Sequence, residues 1–217
     1  MAPRIPYSKE LGLLSHVLAT ACAGDPASVC RAVENFGEEV LGSSDLWLKV
    51  AGGVKAEVLT AAVCMAPSQG SILEIGTYCG YSAIRMAMAC PGARIVTLEV
   101  DPVHVVIARN MLAFARLDHQ VDVWTGHSSD LLHRLHLRYK EEGNIEFRAV
   151  FMDQRGSRYT QDLETLENQG LLLPDAIVVA DNVLKPGAPL FLWRLAKSGA
   201  YNTEIVRVKE FAMQAED

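Results

Sequence analysis

The residues of this chain that could do chemistry fall at the ends of apolar runs. ILEIGTYCGYSA, residues 72–83, carries Glu74 near its apolar start and then a turn with Gly76 and Gly80. Glycines so placed let the backbone turn sharply and approach a ligand closely; taken alone, the same pattern also suits an ordinary strand-to-helix loop. A second run, RIVTLE, ends at Glu99, roughly twenty residues beyond Gly76, where a carboxylate can accept hydrogen bonds from both ribose hydroxyls of a nucleotide-like cofactor. A nicotinamide dinucleotide would call for the tighter G-x-G-x-x-G that seats a pyrophosphate on a helix N-terminus, and that third glycine spacing is absent.

Two more runs end in hard oxygen donors: AVFMDQ at Asp153, and AIVVADNV at Asp181 and Asn182. In an open parallel sheet the carboxyl ends of neighbouring strands face one crevice, so two carboxylates and an amide carbonyl could meet at one point. Such a set suits Mg²⁺, whose octahedral shell is completed by water and substrate oxygens. The plainer reading of either aspartate alone is a cap for the helix that follows.

The elements that must position these groups alternate. Short apolar, β-branched-rich runs at 71–75, 94–99, 121–125, 148–152 and 176–180 are separated by stretches of helical period. One of these is 102–116, where Val105, Val106, Ala108, Met111, Leu112 and Ala115 recur at threes and fours. That predicts a doubly wound α/β sheet with helices on both faces, parallel strands and right-handed crossovers. Residues 1–70 read as a helical cover, with helices over 11–23, over 26–41 after an Asp25 cap, and over 55–65; residues 71–217 form the sheet core. The string TEIVRV, 203–208, reads as one further strand.

Composition narrows the partners. With 217 residues, half of them apolar, the chain can bury one sizeable core, and we expect a single domain. A net charge of −6 without a basic cluster argues against nucleic acid or an anionic membrane as the main partner and favours a small molecule. The apolar runs are strand-sized, and the first residues lack an uninterrupted apolar export segment. Five cysteines with no C-x-x-C pair read as reduced thiols, so a cytoplasmic setting is expected. Cys79 reads as a small apolar filler, Met86, Met88 and Met111 as core, and His127 as a solvent-facing loop residue.

Taken together, ILEIGTYCGYSAIRMA, PGARIVTLEVDP, VFMDQ with Arg158-Tyr159 shortly after, and VVADNVLKPGAPLF resemble the animal-type catechol O-methyltransferases, from about Leu14 to Phe211. The resemblance implies a Rossmann-like methyltransferase sheet that binds S-adenosylmethionine. Val50, Glu74, Gly76, Tyr78, Ser82, Glu99, Ser128, Asp153 and Gln154 would then contact the cofactor. Glu99 would hold the ribose, and Ser128 would sit beside the adenine together with Gln154, which stands where the family has a His and whose amide could still donate. Asp153, Asp181 and Asn182 carry over as Mg²⁺ ligands, and Glu210 as the acceptor of the second hydroxyl of a catechol-like substrate. The implied chemistry is in-line methyl transfer from a sulfonium to a hydroxyl oxygen oriented and acidified at Mg²⁺.

Three departures from the family pattern stand out. Gly156 occupies the place of a Lys that serves the family as general base. Lys185, three residues past Asn182, is the nearest cation in sequence to the metal ligands and the alternative base; the plainer reading is a solvated loop residue. The substrate wall is replaced around WLKVAGG (47–53) and at Arg155, predicting a more polar pocket. The chain also stops before the family's final antiparallel strand, so the sheet edge is expected to need a missing segment or a partner chain. The alternative to an enzyme is a protein that binds S-adenosylmethionine, has reduced or lost turnover, and serves as an interaction module.

Overall fold

A computed structural model describes residues 5–41, 47–142 and 146–211, leaving aside the side chains of 139–142. Ser8–Thr20 (α1), Pro26–Asn35 (α2) and Val54–Met65 (α3) precede the sheet, and α2 is extended by a widened turn over Phe36–Val40. Asp25 caps α2 by accepting the Ser28 N–H at 3.1 Å, with Pro26 at the first helical position.

The strands are Ser71–Ile75 (β1), Ile95–Glu99 (β2), Val121–Thr125 (β3), Phe147–Met152 (β4) and Leu172–Ala180 (β5). Between and after them run Tyr81–Ala89 (α4), Pro102–Phe114 (α5), Ser128–Glu142 (α6), Tyr159–Asn168 (α7) and Pro189–Ser198 (α8). All four strand pairings are parallel, in the order β3-β2-β1-β4-β5, the doubly wound α/β arrangement that the alternation predicts.

Alternation along the central strands splits the core in two. Ile72, Ile95, Ala149 and Phe151 face the layer built from α1 to α5; Leu73, Ile75, Val96, Leu98, Val150 and Met152 face α6, α7 and α8. Both faces of β1 and β4 are therefore covered, which is why these strands read as near-continuous apolar runs. β5 forms one edge of the sheet and is only half-buried.

The strand expected at 203–208 does not form. These residues have no strand partner among the described residues, and Ile205 and Val206 are about half exposed. Their β-branched alternation is a fit to a pleated, half-buried surface, and without a neighbouring strand or a covering layer it yields extended chain only.

Candidate active site

The carboxyl ends of β1, β4 and β5 are stitched side by side: the Asp153 N–H donates to Ile75 O and the Asp181 N–H to Met152 O, both at 2.9 Å. They open on a cleft of about 980 Å³. Gly76 is fixed here by a close approach. It has φ 108°, and a Cβ on it would lie 2.7 Å from the Asp153 carbonyl oxygen.

At one end of the cleft, the buried carboxylate of Glu99 ties two backbone segments together, accepting the Tyr78 N–H at 2.8 Å and the Asp101 N–H at 2.9 Å. Desolvation pushes its pKa up, but His104 at 3.8 Å and these two amides outweigh it and hold the carboxyl below its ordinary range. Each of its oxygens keeps capacity for a further donor. Tyr78 in turn donates its hydroxyl to Glu10 at 2.7 Å and packs on the His104 ring, so α1 braces this end.

Glu74 and Ser82 lie elsewhere than expected. They hydrogen-bond each other in the interior behind the glycine turn, Glu74 also accepts from Thr97 at 2.5 Å, and neither lines the cleft. Complete burial raises the Glu74 carboxyl to about 7, against the pull of the two hydroxyls.

Ser128 and Gln154, both cleft residues, donate to the same oxygen of Asp162, at 2.7 and 2.9 Å. Because the carboxylate takes the Gln154 amino group, the side chain is left with a buried acceptor, Oε1, that has no partner among the described residues.

At the other end stand Asp153, Asp181, Asn182 and Glu210, joined by Lys55. Lys55 Nζ lies 2.9 Å from Asp181 Oδ2 and 2.7 Å from Glu210 Oε1, and the Asn182 amide donates to the same Glu210 oxygen at 3.0 Å. Burial disfavours the Lys55 ammonium, but Glu210 and Asp181 more than offset it, so its pKa is raised. With its NH₂ committed to Glu210, Asn182 keeps its carbonyl oxygen for a ligand. The Asp153 side chain accepts no hydrogen bond among the described residues. Desolvation and the adjacent Asp181 charge push its carboxyl well above the usual range, a strain that a divalent cation would relieve. The oxygen set therefore fits a hard metal ion, although among the described residues no group of three or more His, Cys, Asp and Glu is arranged to hold one.

Lys55 escaped the sequence reading. The available signal was its place on α3: Lys55, Leu59 and Val63 form one buried stripe at helical spacing, so a lysine occupies a core position. Lys185, by contrast, is exposed and is not among the cleft-lining residues; the backbone beyond Asn182 presents Pro186 to the cleft and leaves the lysine outside it. Val50 lines the cleft, as do Trp47, whose indole N–H donates to Phe211 O at 3.2 Å, and His127, which is exposed.

A doubly wound parallel sheet, a glycine turn after β1 and an acid closing β2 define a Rossmann-like fold built for a nucleotide-like cofactor. The family described as O-methyltransferase matches residues 54–210. Catechol O-methyltransferase of Bos taurus is 39% identical over 186 residues, 85% of this chain and 65% of that protein. The Mus musculus protein of the same name is 37% identical over 196 residues, 89% and 70% of the two chains. Among solved structures, the O-methyltransferase TomG from Streptomyces achromogenes, in complex with SAM, aligns with a TM-score of 0.59 and 28% identity over 68% of this chain and 70% of that one. The chain belongs to the catechol O-methyltransferase family. It spans about two thirds of the length of these curated relatives. Among the described residues no helix is long and apolar enough to cross a membrane.

Proposed function

We propose that this chain transfers a methyl group from S-adenosylmethionine to a hydroxyl of a catechol-like small molecule, with Mg²⁺ as the metal. The observation that carries this reading is the meeting, in one cleft, of a ribose-type acceptor, Glu99, with the oxygen cluster Asp153, Asp181, Asn182 and Glu210. Gly76, Tyr78, Glu99, Val50, Asp153, Ser128 and Gln154 would hold the donor. Glu74 with Ser82 supports the turn from behind. The donor would supply an electrophilic methyl group; Asp153, Asp181 and the Asn182 carbonyl would hold Mg²⁺, which would acidify the hydroxyl.

The remaining work belongs to the chain. Glu210 Oε1 is occupied by Lys55 and Asn182, which leaves Oε2 to accept a hydrogen bond from the second hydroxyl. Lys55 holds Glu210 and Asp181 in one arrangement and balances their charge, so the acceptor is bound by groups already in place. Trp47, tied to the Phe211 carbonyl, lends the cleft an apolar wall.

Methyl transfer from labelled donor to catechol, with and without Mg²⁺ and with excess chelator, tests the proposal. Turnover that requires Mg²⁺ is expected. Undiminished turnover in chelator would remove the metal, and tighter binding of NADH than of S-adenosylmethionine would overturn the reading altogether. Donor binding without turnover on any acceptor would favour an interaction module instead.

A further inference from the structure

The charges that line the cleft are mostly spoken for. Lys55 is held between Asp181 and Glu210, Arg158 stands 3.6 Å from Asp162, and Glu99 accepts two amides. Two cations are different. Lys49 and Arg155 both line the cleft, both are exposed, and neither side chain makes a hydrogen bond or ion pair among the described residues.

Their neighbours along the chain belong to the acceptor end. Lys49 follows Trp47 by two residues, and Trp47 is pinned by its indole N–H to the carbonyl of Phe211, the neighbour of Glu210. Arg155 follows Asp153 by two residues and precedes Gly156, which is packed on the backbone of Gly187 in the segment after Asn182. The less exposed part of the lining is thus acidic, with Asp153, Asp181 and Glu210, while the same cleft offers two exposed cations with uncommitted side chains. This contrasts with the chain as a whole, whose net charge is −6.

We infer that Lys49 and Arg155 select an acceptor bearing an anionic substituent, a carboxylate or an equivalent acid, on the part of the molecule that projects away from the reacting hydroxyls. This deepens the proposed function and rests on its assignment of the acceptor end. A diol is met by the acidic inner cluster, and the opposite end of the same molecule by the basic rim. A cationic substituent would face like charge at the mouth, which discriminates against the wrong partner as effectively as the ion pair favours the right one. Both cations are solvated, so the preference should be modest, about tenfold in kcat/KM for the two together, and should shrink as salt rises.

The experiment compares 3,4-dihydroxybenzoate, catechol and 3,4-dihydroxyphenethylamine as acceptors with the wild-type chain and a Lys49→Met/Arg155→Gln variant, reading kcat/KM for each and the KM of the donor. In parallel, calorimetry reads binding of the three compounds in the presence of donor product and Mg²⁺. The wild type is expected to favour the benzoate over the amine, and the variant to lose that ratio whatever happens to its overall rate. Equal ratios in wild type and variant would overturn the inference, as would a variant whose defect lies in the KM of the donor, since the cations would then serve the donor's own carboxylate. If no compound is methylated, the function reading fails and binding decides the inference separately: charge-dependent binding that disappears in the variant still supports it, and binding without charge preference, or no binding of any of the three, overturns it.

Discussion

A Cβ added to Gly156 would stand 2.8 Å from the carbonyl oxygen of Gly187 and 3.0 Å from the Ala188 side chain. The place where the family pattern carries a lysine is therefore filled by backbone from the segment that follows Asn182, and replacing the glycine is not a simple restoration. Gly156→Lys should destabilise the fold by about 1–3 kcal/mol, the usual range for overpacking, and should fail to raise turnover at neutral pH. Urea unfolding and a methyl-transfer assay check this. A variant of unchanged stability with faster turnover would show that the Gly187 backbone yields easily.

Lys55 carries the next prediction. Removing one partner of a buried charge cluster leaves the others uncompensated, at about 3–5 kcal/mol in well-buried cases, and the Glu210 side chain is 30% exposed, so the lower end applies here. Lys55→Met should cost about 3 kcal/mol of stability and should separate Glu210 from Asp181, lowering turnover more than it weakens donor binding. Lys55→Arg, which keeps the charge, should recover part of both. Unfolding curves and donor titration of the two variants decide the matter, and a Lys55→Met protein as stable and active as the parent would rule the bridge out as an organising contact.

How much of this was legible in the sequence depended on whether the signal was local. The boundaries of β1 and β3, the Asp25 cap and the convergence of Asp153 with Asp181 follow from periodicity and from the rule that parallel strands deliver their carboxyl ends to one crevice. Lys55 was hidden because its partners lie 126 and 155 residues away, a pairing no spacing encodes. The 203–208 segment misled for the converse reason: its local preference was right, but a strand exists only with a neighbour. Glu74 and Ser82 are cofactor contacts only as the resemblance implies them, whereas the strand's alternation turns Glu74 into the layer beneath α4.

Glu99 offers a separable test of the donor end. Its carboxylate holds the Tyr78 and Asp101 amides already, so truncation removes both the proposed ribose acceptor and the tie that shapes the loop. Glu99→Ala should weaken S-adenosylmethionine binding by roughly 1–3 kcal/mol, about five- to 150-fold in Kd. Glu99→Gln, which can keep one amide contact, should lose less. Calorimetric titration gives the comparison directly, and an unchanged Kd in a folded Glu99→Ala protein would take this residue out of the site.

The pH dependence of stability should carry the mark of Glu74. Its carboxyl titrates near 7 in the folded chain against an ordinary value of 4.5, because complete burial disfavours the anion more than Ser82 and Thr97 stabilise it, with the Glu99 charge adding to the rise. Below about pH 4.5 the group is protonated in both folded and unfolded chains and contributes no difference. Between about 4.5 and 7 the folded state binds the extra proton, so stability falls as pH rises, and above 7 the buried anion imposes its full cost, on the order of 3 kcal/mol. Glu74→Gln cannot ionise, and the Ser82 and Thr97 hydroxyls can rotate to accept from its amide as readily as they donate to the acid. The variant should therefore match the parent at acid pH and exceed it at pH 8, with the gap opening across the window between. Urea unfolding of both proteins without donor, at pH 5 and pH 8, measures that gap, and parallel profiles would mean that Glu74 does not titrate in the interior as its surroundings require.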